Sequence, residues 1–90
     1  PALAWKVAFT AQAAKTFAKR DKKAAARILL VLREKAARDP RSAGKALTGP
    51  LHGFWRYRAG DHRILVRIED ETITVLVVRI GHRREIYGRR

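Results

Sequence analysis

The central stretch of the chain reads FWRYRAGDHRILVRIE from Phe54 to Glu69. Two segments of alternating character flank the dipeptide Gly60-Asp61, and Gly and Asp are residues that favour tight turns. The stretch therefore predicts a β-hairpin, and the rest of the fold can be built outward from it.

The hairpin determines which way its arginines point. Successive side chains on a strand lie on opposite faces, so Arg56 and Arg58 share one face. Trp55 and Tyr57 then lie on the other face. If the two strands pair through the turn, Arg63 at the start of the next strand lies close to Arg58.

Further strands are predicted on both sides of the hairpin. A turn at Asp70-Glu71 leads into an apolar segment, Thr72–Ile80, which is typical of a central strand. Near the N-terminus, Trp5–Phe9 alternates and is predicted to form a first strand. Residues 40–53 are predicted to form a loop or a partly extended connection.

Two helices are predicted between the first strand and this connection. Thr10 can cap the first helix and Asp21 the second, which spans about residues 22–38 and stops before Pro40. The second helix has an apolar stripe at helical spacing. Its members are Ala25, Ile28, Leu29, Leu32 and Ala36.

The predicted order is β-α-α-β-β-β: an N-terminal strand, a two-helix antiparallel hairpin and a three-stranded antiparallel meander. This is an α+β fold with both helices packed on one face of the sheet. Residues 1–90 are expected to form a single domain, because the chain is too short for two independent cores.

The net charge of +13 on 90 residues is the most informative feature of the composition. Such a surface attracts polyanions over a Debye length of about 8 Å at physiological salt. A nucleic acid is the first candidate partner. A solvated basic surface without a specific ligand and an acidic protein partner are the alternatives that charge alone leaves open.

Cysteine is absent, and the longest apolar runs, such as Ile28–Leu32, are much shorter than the ~20 residues that span a bilayer. The chain is therefore expected to be cytoplasmic and to have no membrane partner.

Cationic side chains are predicted to converge at one site. Arg56, Arg58 and Arg63 on one sheet face could form a clamp that stabilises charge on a transferring phosphoryl group. The alternative is an ordinary exposed face of a basic protein. The segment Gly81–Tyr87 follows the last strand and can fold back over this face, where Arg83 could add a fourth cation. Its tyrosine could stack on a nucleobase or pack at the edge of the core.

His62 and His82 are the candidates for proton transfer, because histidine titrates near neutrality. Strict alternation, however, points each of them away from its neighbouring arginine, so each could equally be a surface or packed side chain. Clustered carboxylates and metal-ligand spacings are absent from the sequence, so we expect no metal and no cofactor. If RNA is cut, the 2′-hydroxyl is then the nucleophile and a cyclic phosphate the product.

Four motifs give the sequence a resemblance to the RelE/ParE superfamily of bacterial toxins that covers nearly the whole chain. They are Lys45-Ala46-Leu47 with Gly49, Phe54-Trp55-Arg56-Tyr57-Arg58, Gly60-Asp61-His62-Arg63 and Gly81-His82-Arg83-Arg84-Glu85-Ile86-Tyr87. The resemblance implies the toxin of a type II toxin–antitoxin pair. A cognate acidic antitoxin would bind and inhibit it, and only the complex would bind operator DNA.

Within the superfamily the chain is more similar to RelE, whose members cleave messenger RNA in the ribosomal A site, than to ParE, whose members poison DNA gyrase. The resemblance implies phosphate binding by Arg56, Arg58 and Arg63, leaving-group protonation or charge stabilisation by Arg83 and base stacking by Tyr87. It also implies the ribosome and messenger RNA as partners. The second-strand pair is often lysine in RelE proteins, and arginine cannot take over a general-base role because it stays protonated.

Overall fold

The computed structural model describes residues 4–86. The strands are β1 (Lys6–Phe9), β2 (Lys45–Ala46), β3 (Trp55–Ala59), β4 (His62–Glu69) and β5 (Thr74–His82). The helices are α1 (Ala11–Ala18), α2 (Lys22–Val31) and the short α3 (Arg83–Ile86). The predicted β-α-α-β-β-β order and the α+β class are confirmed. The two-residue strand β2, inside the predicted connection, is an addition.

Both predicted helix caps are confirmed. The backbone N–H of Ala13 donates to Thr10 Oγ1 at 3.1 Å, and that of Ala24 donates to Asp21 Oδ1 at 2.7 Å. Helix α2 continues as a π-helical turn, Leu32–Ala36, and so ends close to the predicted boundary. These side-chain acceptors satisfy N–H groups that have no partner within the helix.

The five strands form one sheet in the order β1-β5-β4-β3-β2. Strand β1 pairs in parallel with β5, and the other neighbours are antiparallel. The predicted hairpin turn is confirmed, because Ala59 pairs with His62 around Gly60-Asp61. Gly60 has a φ of +64°, a left-handed value that glycine adopts without a steric cost.

The core lies between the helices and one face of the sheet. Its fully buried members include Ile28, Leu32, Tyr57, Ile64 and Val77. Tyr57 is anchored by its hydroxyl, which donates to the carbonyl oxygen of Pro40 at 2.9 Å. Burial raises the pKa of Tyr57 to about 12, because the phenolate is poorly stabilised in this position. We call the other side of the sheet, which carries Arg56, Arg58, Arg63 and Leu65, the open face.

A β-bulge interrupts the pairing of β4 with β5. Leu65 pairs with Arg79 and Val66 with Val77, so Val78 is an extra residue on β5. As a result Val77 and Ile80 both point into the core, although they are three residues apart. Val78 and Arg79 are consequently both left outside the core, where strict alternation would separate them.

One glycine lets the 40–53 segment approach β3 closely. A Cβ on Gly44 would overlap the carbonyl oxygen of Arg56 and lie 2.5 Å from Cδ1 of Tyr57. Within the same segment, Arg41 forms a bidentate ion pair with Asp70, with N–O distances of 2.9 and 2.8 Å. Within residues 4–86, no helix is long and apolar enough to cross a membrane.

Candidate functional site

Strand pairing brings the predicted arginines together. Arg58 is directly opposite Arg63 across β3 and β4, and Arg56 is opposite Leu65. Opposite residues in an antiparallel pair have side chains on the same face with Cβ atoms about 4.5–5.5 Å apart. All three arginines therefore start from the open face, as the sequence predicts.

Arg63 is held in place by the hairpin turn. Its Nη1 donates to the carbonyl oxygens of Gly60 and His62 at 3.0 and 3.1 Å. The residue is only 8% exposed, whereas Arg58 is exposed. A fixed cation therefore lies beside a solvated one, and the carbonyl contacts determine the position of the fixed one.

Three further cations on the open face were not predicted as site residues. Lys45 is opposite Arg56, Arg79 is opposite Leu65, and Arg67 lies two residues beyond Leu65 on β4. The signal for Lys45 is hidden because β2 has only two residues. The signal for Arg79 is hidden because the bulge changes the alternation of β5.

A cleft of about 340 Å³ opens beside the exposed edge of β3. Its lining is Lys35, Ser42, Ala43, Gly44, Lys45, Arg56 and Arg58, with no acidic side chain among these described residues. Like charges this close repel one another, and an anion between them would remove the repulsion. The cleft and the neighbouring arginines therefore have the electrostatic character of a phosphate site.

The first two residues of the predicted C-terminal segment, Gly81 and His82, continue β5, and Arg83–Ile86 form α3 over the open face. Gly81 pairs with Arg63, and a Cβ on Gly81 would lie 3.2 Å from Oε1 of Glu85 and 3.5 Å from Cδ1 of Ile86. Ile86 is buried, so α3 packs over the sheet next to Arg63. Arg83, the first residue of α3, is exposed, and its backbone N–H donates to the carbonyl oxygen of Asp61 at 3.0 Å.

Tyr87, the predicted stacking residue, lies outside the described residues.

The structure separates the two histidines from the arginines. His62 and His82 are directly opposite each other on β4 and β5, on the face that bears the core, with ring centroids 5.8 Å apart. Burial, Arg20 and His82 lower the pKa of His62, against the opposing effect of Asp21 and Glu85. His62 and His82 line a different cleft, together with Asp21, Arg27 and Asp61.

The arginines of the open face supply positive charge but cannot serve as a base. Arginine stays protonated at every physiological pH, so these side chains can bind phosphate and stabilise developing negative charge without accepting a proton. In the described part of the chain, no group of three or more His, Cys, Asp or Glu side chains could hold a metal ion.

The chain resembles known toxins in sequence and in fold. The sequence model of the family described as "ParE toxin of type II toxin-antitoxin system" matches residues 7–87. The toxin RelG of Mycobacterium tuberculosis is 43% identical over 53 residues, which are 59% of this chain and 61% of RelG. The match therefore spans about three fifths of the length of that curated relative.

Solved structures show the same fold over most of the chain. A chain of the toxin–antitoxin complex RelBE2 from Mycobacterium tuberculosis is 30% identical with a TM-score of 0.82, covering 91% of this chain and 94% of that one. The isolated RelE toxin of E. coli is 23% identical with a TM-score of 0.74, covering 92% and 90% of the two chains. The second likeness concerns the fold alone.

Proposed function

The chain belongs to the RelE/ParE superfamily of toxins from type II toxin–antitoxin systems, and on this basis we propose that it is a ribosome-dependent endoribonuclease. Its substrate is messenger RNA in the ribosomal A site. The observation that carries the proposal is the pair Arg58–Arg63, two like charges directly opposite each other, one of them held by backbone carbonyls. The repulsion within such a pair lowers the stability of the free protein. It is relieved when a phosphate binds between the two guanidinium groups.

The proposed reaction is an attack of a ribose 2′-oxygen on the adjacent phosphorus. The O2′–P bond forms, the P–O5′ bond breaks, and a 2′,3′-cyclic phosphate and a 5′-hydroxyl result. Arg56, Arg58 and Arg63 neutralise charge on the phosphoryl oxygens as it develops. Arg83 stabilises the leaving oxygen and Tyr87 stacks on a base. The proton of the 2′-hydroxyl leaves to water or to a group of the ribosome, and the departing O5′ takes up a proton from water, so no proton is gained or lost overall; the arginines themselves cannot accept it.

The same cations suit an acidic inhibitor. The solved relatives include complexes of a RelE toxin with a RelB antitoxin. We propose that a cognate acidic antitoxin covers the open face and blocks the access of RNA, and that operator DNA is bound by the complex alone.

Arg58 gives the sharpest test, because it is exposed and its loss disturbs no packing. We expect Arg58→Gln to reduce cleavage of translated message about 10²–10³-fold, the typical effect of losing one electrostatic contact to a transition state. The measurement is primer extension after induction. The same variant should unfold at an equal or higher temperature, because the repulsion with Arg63 is relieved.

Arg33→Gln is the matched control, since it removes the same charge from an exposed position on the helical layer. It should leave cleavage unchanged. Codon-positioned cuts that persist at the wild-type rate in Arg58→Gln would contradict the assigned mechanism.

A ParE-like poison of DNA gyrase is the second candidate, and the match to the ParE family model favours it. This function predicts stalled gyrase–DNA complexes and intact message after induction. Detection of gyrase-linked DNA breaks without cuts in message would select it over the nuclease.

A further inference from the structure

The open face carries an apolar groove beside the arginines, here called the Phe54 groove. It has a volume of about 350 Å³ and is lined by Leu51, Phe54, Leu65, Arg67, Val78 and Arg79. We propose that the Phe54 groove binds a nucleobase of the RNA strand whose phosphate contacts Arg58 and Arg63. This inference rests on the proposed function and adds a base-binding position to it.

The strand register places the groove next to the phosphate site. Leu65, on the floor of the groove, pairs with Arg56 on one side and with Arg79 on the other. Neighbouring strands are about 4.7–4.9 Å apart. The apolar floor therefore begins one strand away from the cations of β3, which is within reach of a single nucleotide.

The walls of the groove have the chemistry that a base requires. The Cζ atom of Arg67 lies 5.9 Å from the centroid of the Phe54 ring, near the outer limit of a cation–π contact. Aromatic rings and guanidinium planes are the surfaces on which unstacked RNA bases stack. Leu51 and Val78 add apolar contact at the sides.

The bulge on β5 builds one side of this groove. It leaves Val78 and Arg79 together outside the core, so one strand contributes both an apolar side chain and a cation. Bulges next to active sites commonly re-aim side chains in this way.

The charges favour a nucleotide over an apolar side chain of a protein. Two of the six lining residues are arginines, and no acidic side chain lines the groove in the part of the chain that the structure describes. Arg67 is already paired with Glu69, with Nε and Oε2 3.4 Å apart, so Arg79 is the lining cation that a phosphate would meet. A nucleotide places its base on Phe54 and its phosphate near the arginines at the same time.

The test uses short 2′-O-methyl RNA, which cannot be cleaved because the nucleophilic hydroxyl is blocked. The intact strand is compared with strands that carry an abasic site at each position in turn, and affinities are measured by fluorescence anisotropy. For wild type we expect two abasic positions to weaken binding, one for the base on Tyr87 and one for the base in the Phe54 groove, each by about 5- to 150-fold, the loss of one base–aromatic stack.

Phe54→Leu keeps an apolar side chain but removes the stacking surface, so one of the two abasic effects should disappear and the effect assigned to Tyr87 should remain. Phe54→Trp should retain both effects. The dependence of affinity on salt should not change in either variant, because the phosphate contacts remain. Leu30→Ala is the control, since Leu30 is 61% exposed on α2; it should behave like wild type.

Two results overturn the proposal: wild type shows no abasic effect beyond one that is lost in Tyr87→Ala, or Phe54→Leu shows the same abasic effects as wild type. Weaker antitoxin binding by Phe54→Leu, with the base effect intact, would assign the groove to the protein partner. If one of the two overturning results appears while the wild-type protein still cuts message, the groove proposal fails and the proposed nuclease stands. If message stays intact, the proposed nuclease fails as well.

Discussion

Neighbouring side chains on one strand have different roles, because they lie on opposite faces of the sheet. Tyr57 lies in the core, and its neighbour Arg58 lies on the open face. Arg63 is ordered by two carbonyl oxygens before any ligand arrives. Its conformational entropy is therefore lost on folding and not on binding, which favours tight contact with an anion.

The sequence was sufficient to predict that Arg56, Arg58 and Arg63 share one face, but not which other cations lie beside them. Alternation and the Gly60-Asp61 turn are local signals, and they place Arg58 beside Arg63. The positions of Lys45 and Arg79 depend on pairing between distant segments, which no local pattern reveals. The histidines follow the alternation faithfully, and it takes them to the face opposite the arginines.

Tyr57→Phe should change the response of the protein to alkaline pH. The folded state holds the phenolic proton up to a pKa of about 12, above the ordinary value of 10.0, so wild type loses stability as pH rises from 10 towards 12. Phenylalanine cannot ionise, and we expect this loss to be absent. At pH 7 the variant should be about 1 kcal/mol less stable, because the Pro40 carbonyl loses its hydrogen bond.

Urea denaturation of both proteins at pH 8, 10 and 11.5 measures this difference. Deprotonation of lysines affects wild type and variant alike, so it cancels in the comparison. Parallel stability curves over this range would show that Tyr57 does not control the alkaline response.

Among the secondary-structure elements, the sequence predicted those features that depend on residues close together in the chain. The caps at Thr10 and Asp21, the hairpin and the helical stripe all follow from neighbouring residues. The edge strand β2 and the bulge at Val78 do not, because β2 is defined by its partner and the bulge by the register with β4. These two unpredicted features supply part of the cleft and part of the groove.

Gly44→Ala should destabilise the edge of the sheet. The new methyl group would overlap the Arg56 carbonyl and press on the Tyr57 ring, and overpacking of this kind typically costs about 1–3 kcal/mol. We expect faster amide exchange in β2 and β3 and weaker RNA binding, measured by hydrogen exchange and anisotropy.

Gly49→Ala is the comparison for this variant. A Cβ on Gly49 would meet no atom within 4 Å, but the residue has a φ of +65°, so alanine there brings backbone strain without overlap. Its effect should stay near the loop. Unchanged exchange in β3 of Gly44→Ala would mean that the edge can shift without cost.

For the whole molecule, net charge acts on stability and binding in opposite directions. The charge of +13 repels itself in the compact state and attracts polyanions from a distance. Salt screens both effects, since the Debye length falls from about 10 Å at 0.1 M to about 3 Å at 1 M.

We therefore expect the unfolding temperature to rise between 0.05 and 0.5 M sodium chloride while the affinity for RNA falls. Circular dichroism and anisotropy measure the two quantities. Glu71→Lys, at an exposed turn, replaces a negative charge by a positive one, which raises the net charge by two, and should make the rise in unfolding temperature steeper. An unfolding temperature that falls with salt would show that attractive ion pairs, such as Arg41–Asp70, outweigh the repulsion.

The facing guanidinium groups of β3 and β4 also bear on how such genes decay. Under the proposed function, replacing the exposed Arg58 by a neutral residue would relieve repulsion in the fold and weaken the toxin, so selection for stability alone would favour harmless descendants. Arg58 beside Arg63 would then persist only while the cell benefits from the toxic activity.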